Sequence, residues 1–123
     1  MAKPDRGRWR STLALTLALV ALALPASAET WKNVMLLDVM CSKLDRVMKD
    51  AQQHPRACIL ECHDDGYGVV LRDGDFLRFD DKGSRLALDI LRSDDAPEQN
   101  VRVNVSGKLK GGVIHVDRIG LSR

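Results

Sequence analysis

Aromatic residues are scarce in this chain of 123 residues, which has two Trp, two Phe and one Tyr. Proteins that bind single-stranded nucleic acid stack bases on exposed aromatic rings, and so few rings do not supply such a platform. Common catalytic motifs are missing as well: the sequence has no phosphate-binding loop, no nucleophile elbow and no zinc-protease motif. We therefore expect a non-enzymatic protein without a nucleic-acid partner and with no catalytic residues.

Long apolar stretches are limited to residues 11–24, which fall short of the roughly 20 residues of a membrane-spanning helix. A basic segment with Lys3 and three arginines precedes this stretch, and Ala26-Ser27-Ala28 follows it. A basic start, a short apolar core and small residues at the end predict a secretory signal peptide over residues 1–28, cleaved after Ala28. We expect a periplasmic or secreted protein that is not embedded in a membrane after cleavage.

An excess of charge of one sign is also lacking in the remaining domain, residues 29–123. The predicted signal peptide contains four of the nineteen Lys and Arg residues and one of the seventeen Asp and Glu residues. The domain is therefore nearly neutral, whereas a protein that follows a phosphate backbone carries a clear positive field. A single domain of this size has a modest core, which a covalent or metal crosslink would stabilise.

Alternation of apolar and polar residues predicts five strands, most clearly at Val101, Val103 and Val105. The expected elements are a strand over 31–39, helices over 43–53 and 55–62, strands over 67–72 and 75–80, a helix around 86–91, and two strands after residue 100. This order predicts a mainly β, five-stranded OB-like Greek-key barrel, with a helical insertion between strands one and two and a helix between strands three and four. An open five-stranded sheet with helices on one face is the alternative.

Turn residues add detail to this prediction. Asp73-Gly74 suits a two-residue hairpin turn between the second and third strands, and Gly111-Gly112 suits one between the fourth and fifth. The apolar alternation of the last strand changes phase after Val116, which predicts a bulge near Asp117 and Arg118.

Five segments carry a family resemblance: L-D-V-M-C-S (37–42), H-P-R-A-C-x-x-x-C (54–62), D-G-Y-G-V-V (65–70), D-G-D-F-L-R-F-D (73–80) and V-x-V-x-G-x-x-x-G-G-x-I-x-V (103–116). In these segments the chain resembles a group of small exported bacterial proteins without an established activity. The resemblance spans nearly the whole domain. It implies an OB-like barrel and indicates that the cysteine and histidine residues are important.

Three cysteines, Cys41, Cys58 and Cys62, form an odd set for an oxidising compartment. Cys58 and Cys62 lie four residues apart on a predicted helix, where parallel side chains do not readily form a disulfide. We expect a disulfide from Cys41 to either Cys62 or Cys58 that joins the insertion to the barrel, with one thiol left over. The spare thiol would be buried or would link two chains into a dimer, so the protein is expected to be a monomer or a disulfide-linked dimer.

A metal site is the alternative for the same residues. Cys41, His54, Cys58 and Cys62 offer three thiolates and one imidazole, which suit tetrahedral Zn²⁺, and soft sulfur ligands also suit Cu⁺. Catalysis by Cys62 is disfavoured, because the neighbouring acids Glu61, Asp64 and Asp65 would raise the pKa of its thiol.

The loops that border the ligand-binding face of OB barrels correspond here to the cysteine segment and the Gly111-Gly112 turn. Together with Trp31 and Tyr67 they are the expected binding rim. From sequence we therefore predict a disulfide-containing exported module, without a cofactor, that binds an envelope protein or a small ligand. A periplasmic protein that binds zinc or copper through its Cys/His set is the alternative.

Overall fold

The computed structural model describes residues 28–123. Of the predicted signal peptide only Ala28 lies among the described residues, and residues 1–27 lie outside them. The elements are β1 (Glu29–Asp38), α1 (Val39–Ser42), α2 (Asp45–Met48), α3 (Arg56–Glu61), β2 (Tyr67–Val70), β3 (Phe76–Phe79), α4 (Asp81–Arg92), β4 (Arg102–Lys110) and β5 (Val113–Leu121), with single 3₁₀ turns at Ala51–Gln53 and His63–Asp65. No helix in the described part of the chain combines the length and the apolar character needed to cross a membrane.

The five strands form a closed barrel in the order β1-β2-β3-β5-β4, with β4 paired to β1. All neighbouring strands are antiparallel except β3 and β5, which are parallel. This arrangement confirms the mainly β, OB-like barrel and excludes the open sheet. Closure leaves the barrel without a free sheet edge. Its interior is filled by side chains such as Leu36, Val69 and Ile114, all fully buried.

The last hairpin confirms both local predictions made for it. Gly111 and Gly112 have φ values of 57° and 76° and connect β4 directly to β5, as a primed two-residue turn requires. Ser106 pairs with Arg118 while Gly107 pairs with Val116, so β5 carries one extra residue, Asp117. The predicted bulge is thus present and restores the apolar alternation.

The two-residue turn predicted at Asp73-Gly74 is wrong. The backbone N–H of Leu71 donates to the carbonyl of Asp75 (2.8 Å), and Gly74 N–H donates to the carbonyl of Leu71 (3.0 Å). The loop therefore has three residues, with Gly74 in the left-handed region at φ 90°. Three-residue hairpin loops of this kind need a left-handed residue at their third position, which explains the glycine.

Helix α4 packs against β5, β2 and β3. Its first turn is capped by Asp80, whose Oδ1 accepts hydrogen bonds from the N–H of Gly83 (2.9 Å) and of Val116 (3.2 Å). A side chain at Gly83 would collide with Val116 and Phe79, so glycine permits the close approach of α4 to the barrel. The predicted helix between strands three and four is confirmed.

The connection from β1 to β2 differs from the single helix expected over 43–53. It contains α1, α2 and a 3₁₀ turn instead, because the helical conformation begins earlier than expected. Asp38, the last residue of β1, caps α1 by accepting a hydrogen bond from Cys41 N–H (2.8 Å). Ser42, which directly precedes the helix predicted over 43–53, is the last residue of α1, and its hydroxyl donates to the carbonyl of Val39 (2.6 Å).

Candidate functional site

The three cysteines are all free thiols in the structure. The sulfur atoms of Cys41 and Cys62 are 4.2 Å apart, about twice the length of a disulfide bond. Cys58 lies on α3, one helical turn before Cys62, and is not part of this pair. The predicted disulfide from Cys41 is therefore not formed with either candidate. The fold brings Cys41 to Cys62 and separates it from Cys58.

Asp38 completes a three-residue cluster with Cys41 and Cys62, in which the ligand atoms all lie within 4.8 Å of one another. Asp38 is 0% exposed, and its Oδ2 is the acceptor that caps α1. Its Oδ1 is buried without a hydrogen-bond partner. Such an oxygen is rare in a folded protein, and the thiols of Cys41 and Cys62 are the polar neighbours of this carboxylate in the cluster.

Local backbone geometry explains how these three residues meet. Asp38 pairs with Tyr67 at the end of the β1–β2 ladder, and α1 starts at the next residue. Cys41 then lies one turn into α1, with its backbone N–H on the Asp38 carboxylate. Cys62 stands just after the end of α3, with φ −97° and ψ 34°, where the regular helical backbone ends.

Burial disfavours the thiolate form of Cys41, which is 5% exposed. The pKa of its thiol is raised from 9.0 to about 12, mainly by desolvation, and the neighbouring Asp38 carboxylate and Cys62 thiol raise it further. The pKa of Tyr67 is raised from 10.0 to about 12, again chiefly by burial, with a further contribution from the Asp38 charge. A positive ion in the cluster would reverse these effects, because it favours the deprotonated thiols.

An open groove of about 540 Å³ borders the cluster. Cys41 and Cys62 line it together with the other two predicted metal ligands, His54 and Cys58. Met40 and Leu44, two of the three exposed large apolar residues among residues 28–123, line it as well. All four predicted ligands therefore face one groove, but only Cys41 and Cys62 belong to the tight cluster.

His54 lies outside the cluster, at the end of the 3₁₀ turn Ala51–Gln53. Its backbone is extended (φ −68°, ψ 121°), as expected for a residue before a proline. Its Nε2 atom is buried without a partner. In the described part of the chain, Asp38 Oδ1 and His54 Nε2 are the two buried side-chain polar atoms that lack a hydrogen bond.

The prediction that Tyr67 belongs to the binding rim is wrong. This residue is 1% exposed, and its hydroxyl donates to the carbonyl of Ile59 at 3.3 Å, so the ring belongs to the core. Trp31 is half-buried on β1 and packs against the hydrophobic core of the barrel. Gly111 and Gly112 are exposed in the β4–β5 turn.

Asp38 is the site residue that the sequence reasoning missed. An aspartate at the end of an apolar strand and three residues before Cys41 is a helix N-cap signal, since its carboxylate accepts the N–H at the third helical position. If Asp38 is interpreted as a helix cap, its carboxylate is expected to lie beside the thiol of Cys41. The other oxygen of that carboxylate, Oδ1, is the one that has no hydrogen-bond partner.

The cluster has the chemistry of a metal site. Two thiolates and one carboxylate are ligands that Zn²⁺ accepts, and two sulfurs bound to one tetrahedral Zn²⁺ lie about 3.8 Å apart. The observed 4.2 Å separation is close to that value. Comparisons with protein-family models, curated proteins and solved structures found no match.

Proposed function

We propose that this protein is an exported, non-enzymatic metal-binding module that holds one Zn²⁺ ion through Cys41, Cys62 and Asp38. The observation that supports it most is the buried Asp38 Oδ1, which has no hydrogen-bond partner and stands beside two free thiols. An unsatisfied buried polar group costs about 1–3 kcal/mol, and coordination of an ion would offset that cost. The groove leaves room for a fourth ligand, such as water or a group from a partner.

The donor set favours zinc over copper. A carboxylate oxygen is a hard ligand that Zn²⁺ accepts together with thiolates, whereas Cu⁺ prefers sulfur alone. Met40 and Cys58 line the groove beside the cluster and would supply additional sulfur to Cu⁺. Copper is therefore the competing metal, and a direct competition between the two ions decides between them.

A disulfide-containing binding module is the second candidate. It is supported by the approach of Cys41 to Cys62, since a shift of about 2 Å would allow a bond in the oxidising compartment that the signal peptide predicts. The groove with exposed Met40 and Leu44 would then be the surface for an envelope protein or small ligand. Metal binding and this disulfide exclude each other, because both use the same sulfurs.

The experiment is a titration of the reduced protein with Co²⁺ and then Zn²⁺ in the absence of oxygen. We expect one Co²⁺ per chain, with thiolate-to-metal absorption and tetrahedral visible bands that Zn²⁺ abolishes. Cys62→Ser and Cys41→Ser should weaken binding at least about 100-fold, since each removes one of few ligands. Asp38→Asn keeps an oxygen that can cap α1 but removes the charged ligand, and it should weaken binding about 10-fold to 100-fold.

Cys58→Ser is the matched control, because it removes a thiol of the same groove that lies outside the cluster. It should leave Co²⁺ affinity within about threefold of the unmodified protein. Equal loss in Cys58→Ser and Cys62→Ser would contradict the proposed ligand set. Native mass spectrometry of protein isolated from its own compartment completes the test. A mass lower by two hydrogens with no bound ion would overturn the zinc proposal in favour of the disulfide.

A further inference from the structure

A second feature lies at the junction of β1 and β4, away from the cysteines. Asn33 and Asn100 have φ values of 53° and 55° and are the two non-glycine residues of residues 28–123 in the left-handed region. Both asparagines accept a hydrogen bond from the side chain of Arg102. Arg102 Nε donates to Asn100 Oδ1 (2.9 Å), and Arg102 Nη1 donates to the backbone carbonyl of Asn33 (2.9 Å).

The backbone at Asn33 is fixed by further contacts. Its N–H donates to Asn104 Oδ1 at 2.8 Å, and Ser122 Oγ lies 3.3 Å from its side-chain Oδ1. An extra residue in β1 between Trp31 and Val34 accommodates this conformation. Left-handed conformations of residues other than glycine cost about 1–3 kcal/mol and persist where the surroundings impose them, often at binding sites. Here the two left-handed residues, Asn33 and Asn100, both orient the guanidinium of Arg102.

Arg102 lines a cavity of about 530 Å³ between β1, the insertion and the β2–β3 loop, and it also lines the neighbouring cavity that contains Asn100. Lys49 and Arg72 line the same cavity, and Asp50 is the one acid among its lining residues. Neither Lys49 nor Arg72 forms an ion pair with another described residue. The lining side chains therefore carry three positive charges and one negative charge, and this net positive charge favours an anion in the cavity.

Arg102 keeps hydrogen-bonding capacity for a ligand. Its Nε and Nη1 are used by the two asparagines, while Nη2 has no partner among the described residues. A guanidinium that is already held by two hydrogen bonds loses little conformational freedom when it binds a carboxylate or phosphate oxygen. Half-buried Met48 and Leu71 provide apolar contact surface in the same cavity.

We infer that this cavity binds the oxyanion group, carboxylate or phosphate, of a small organic ligand, with Arg102 as the positioned ligand-binding residue and Lys49 and Arg72 as supporting charges. The site shares none of the three cluster residues and does not depend on metal binding. It gives the barrel a second ligand whose chemistry differs from that of the metal site.

The test is titration of the ¹⁵N-labelled protein with inorganic phosphate and, separately, citrate, with chloride adjusted to keep ionic strength constant. We expect saturable shifts of the Arg102 Nε–H and of the backbone amides of Asn33 and Arg72. The tighter of the two anions identifies the preferred oxyanion. Arg102→Gln should weaken binding about tenfold or more, as expected for loss of a charged hydrogen-bond donor.

Loss of Arg102 also disturbs the asparagine contacts, so two exposed positions provide independent variants. Arg72→Gln and Lys49→Gln should each weaken binding about threefold or more through loss of one nearby charge. Arg118→Gln, which removes an exposed arginine of β5 outside the cavity, should leave affinity unchanged. Shifts that do not saturate with either anion, or equal affinity in Arg72→Gln, Lys49→Gln and Arg118→Gln, would overturn the inference.

Discussion

Cys41 and Tyr67 are kept protonated by the same buried environment. The unfolded chain releases the Cys41 proton near pH 9.0, while the folded chain retains it to about pH 12. Between these values the folded state binds more protons than the unfolded state, so its stability falls as the pH rises. Titration of the Tyr67 hydroxyl also lowers the stability of the folded state as the pH rises from 10.0 to about 12. The stabilising contribution of both groups is therefore fully present below about pH 9.

We predict that the reduced, metal-free protein loses stability as the pH is raised from 8.5 to 10.5. One group alone contributes a slope of at most about 1.4 kcal/mol per pH unit above its unfolded pKa. Urea unfolding at several pH values, in reductant and chelator, measures this slope. Cys41→Ser should show a shallower decline, and an identical decline in that variant and the unmodified protein would refute the assignment.

The helical insertion is held to the rest of the domain by Arg56 rather than by a disulfide. Its Nη1 donates to the carbonyls of Leu91 (3.1 Å) and Ser93 (3.2 Å) at the end of α4, and its Nη2 pairs with Glu98 (3.0 Å). The backbone N–H of Arg56 also donates to the carbonyl of Glu98 (2.8 Å). A cation at these carbonyls satisfies the open acceptors of a helix C-terminus. Arg56 thereby joins α3 of the insertion to the end of α4.

Arg56→Ala is predicted to reduce the free energy of unfolding by about 1–3 kcal/mol, because it leaves partly buried carbonyls without a donor. Arg56→Lys should have a smaller effect, since it keeps the charge but loses the planar fork. Urea denaturation measures both. Arg46→Ala removes an exposed arginine of α2 and should change stability by less than about 0.5 kcal/mol. Equal effects at positions 46 and 56 would show that Arg56 does not hold the insertion.

The barrel as a whole provides two different environments around one helical insertion. On one side the insertion presents free thiols to an apolar groove, and on the other it contributes to the cationic cavity at Arg102. Asp50 lines both spaces. The closed barrel supplies the rigid frame, because every strand is paired on both sides. Ligand binding at either site is expected to stabilise the whole domain through mass action.

Zinc at about 100 times its dissociation constant is predicted to stabilise the reduced protein by about 2.7 kcal/mol. For a domain of this size the melting temperature should rise by roughly 10 °C or more. Differential scanning calorimetry with and without Zn²⁺, in the presence of a reductant that does not bind metals, checks this. Cys58→Ser should keep the full shift and Cys62→Ser should lose it. An unchanged melting temperature in the unmodified protein would contradict the zinc site.

Local patterns in the sequence were sufficient to predict the barrel. Period-two alternation, the Gly111-Gly112 turn and the phase change at Asp117 each depend on backbone preferences within a few residues, and all three are confirmed. The extended backbone of His54 likewise reflects a local preference, that of a residue before a proline. The length of the turn at Gly74 was not predictable from its dipeptide, because two-residue and three-residue loops accept the same Asp-Gly pair.

The site was decided by contacts between distant segments. The sequence by itself predicted an OB-like barrel, and it placed three thiols and a histidine at the end of the first strand and in the insertion that follows it. Only the tertiary structure decided that Cys41 meets Cys62, that Asp38 joins them, and that Tyr67 is buried. The physical reason is that side-chain distances depend on how the insertion folds back, which hydrogen bonds such as that from Arg56 to Leu91 establish across 35 residues.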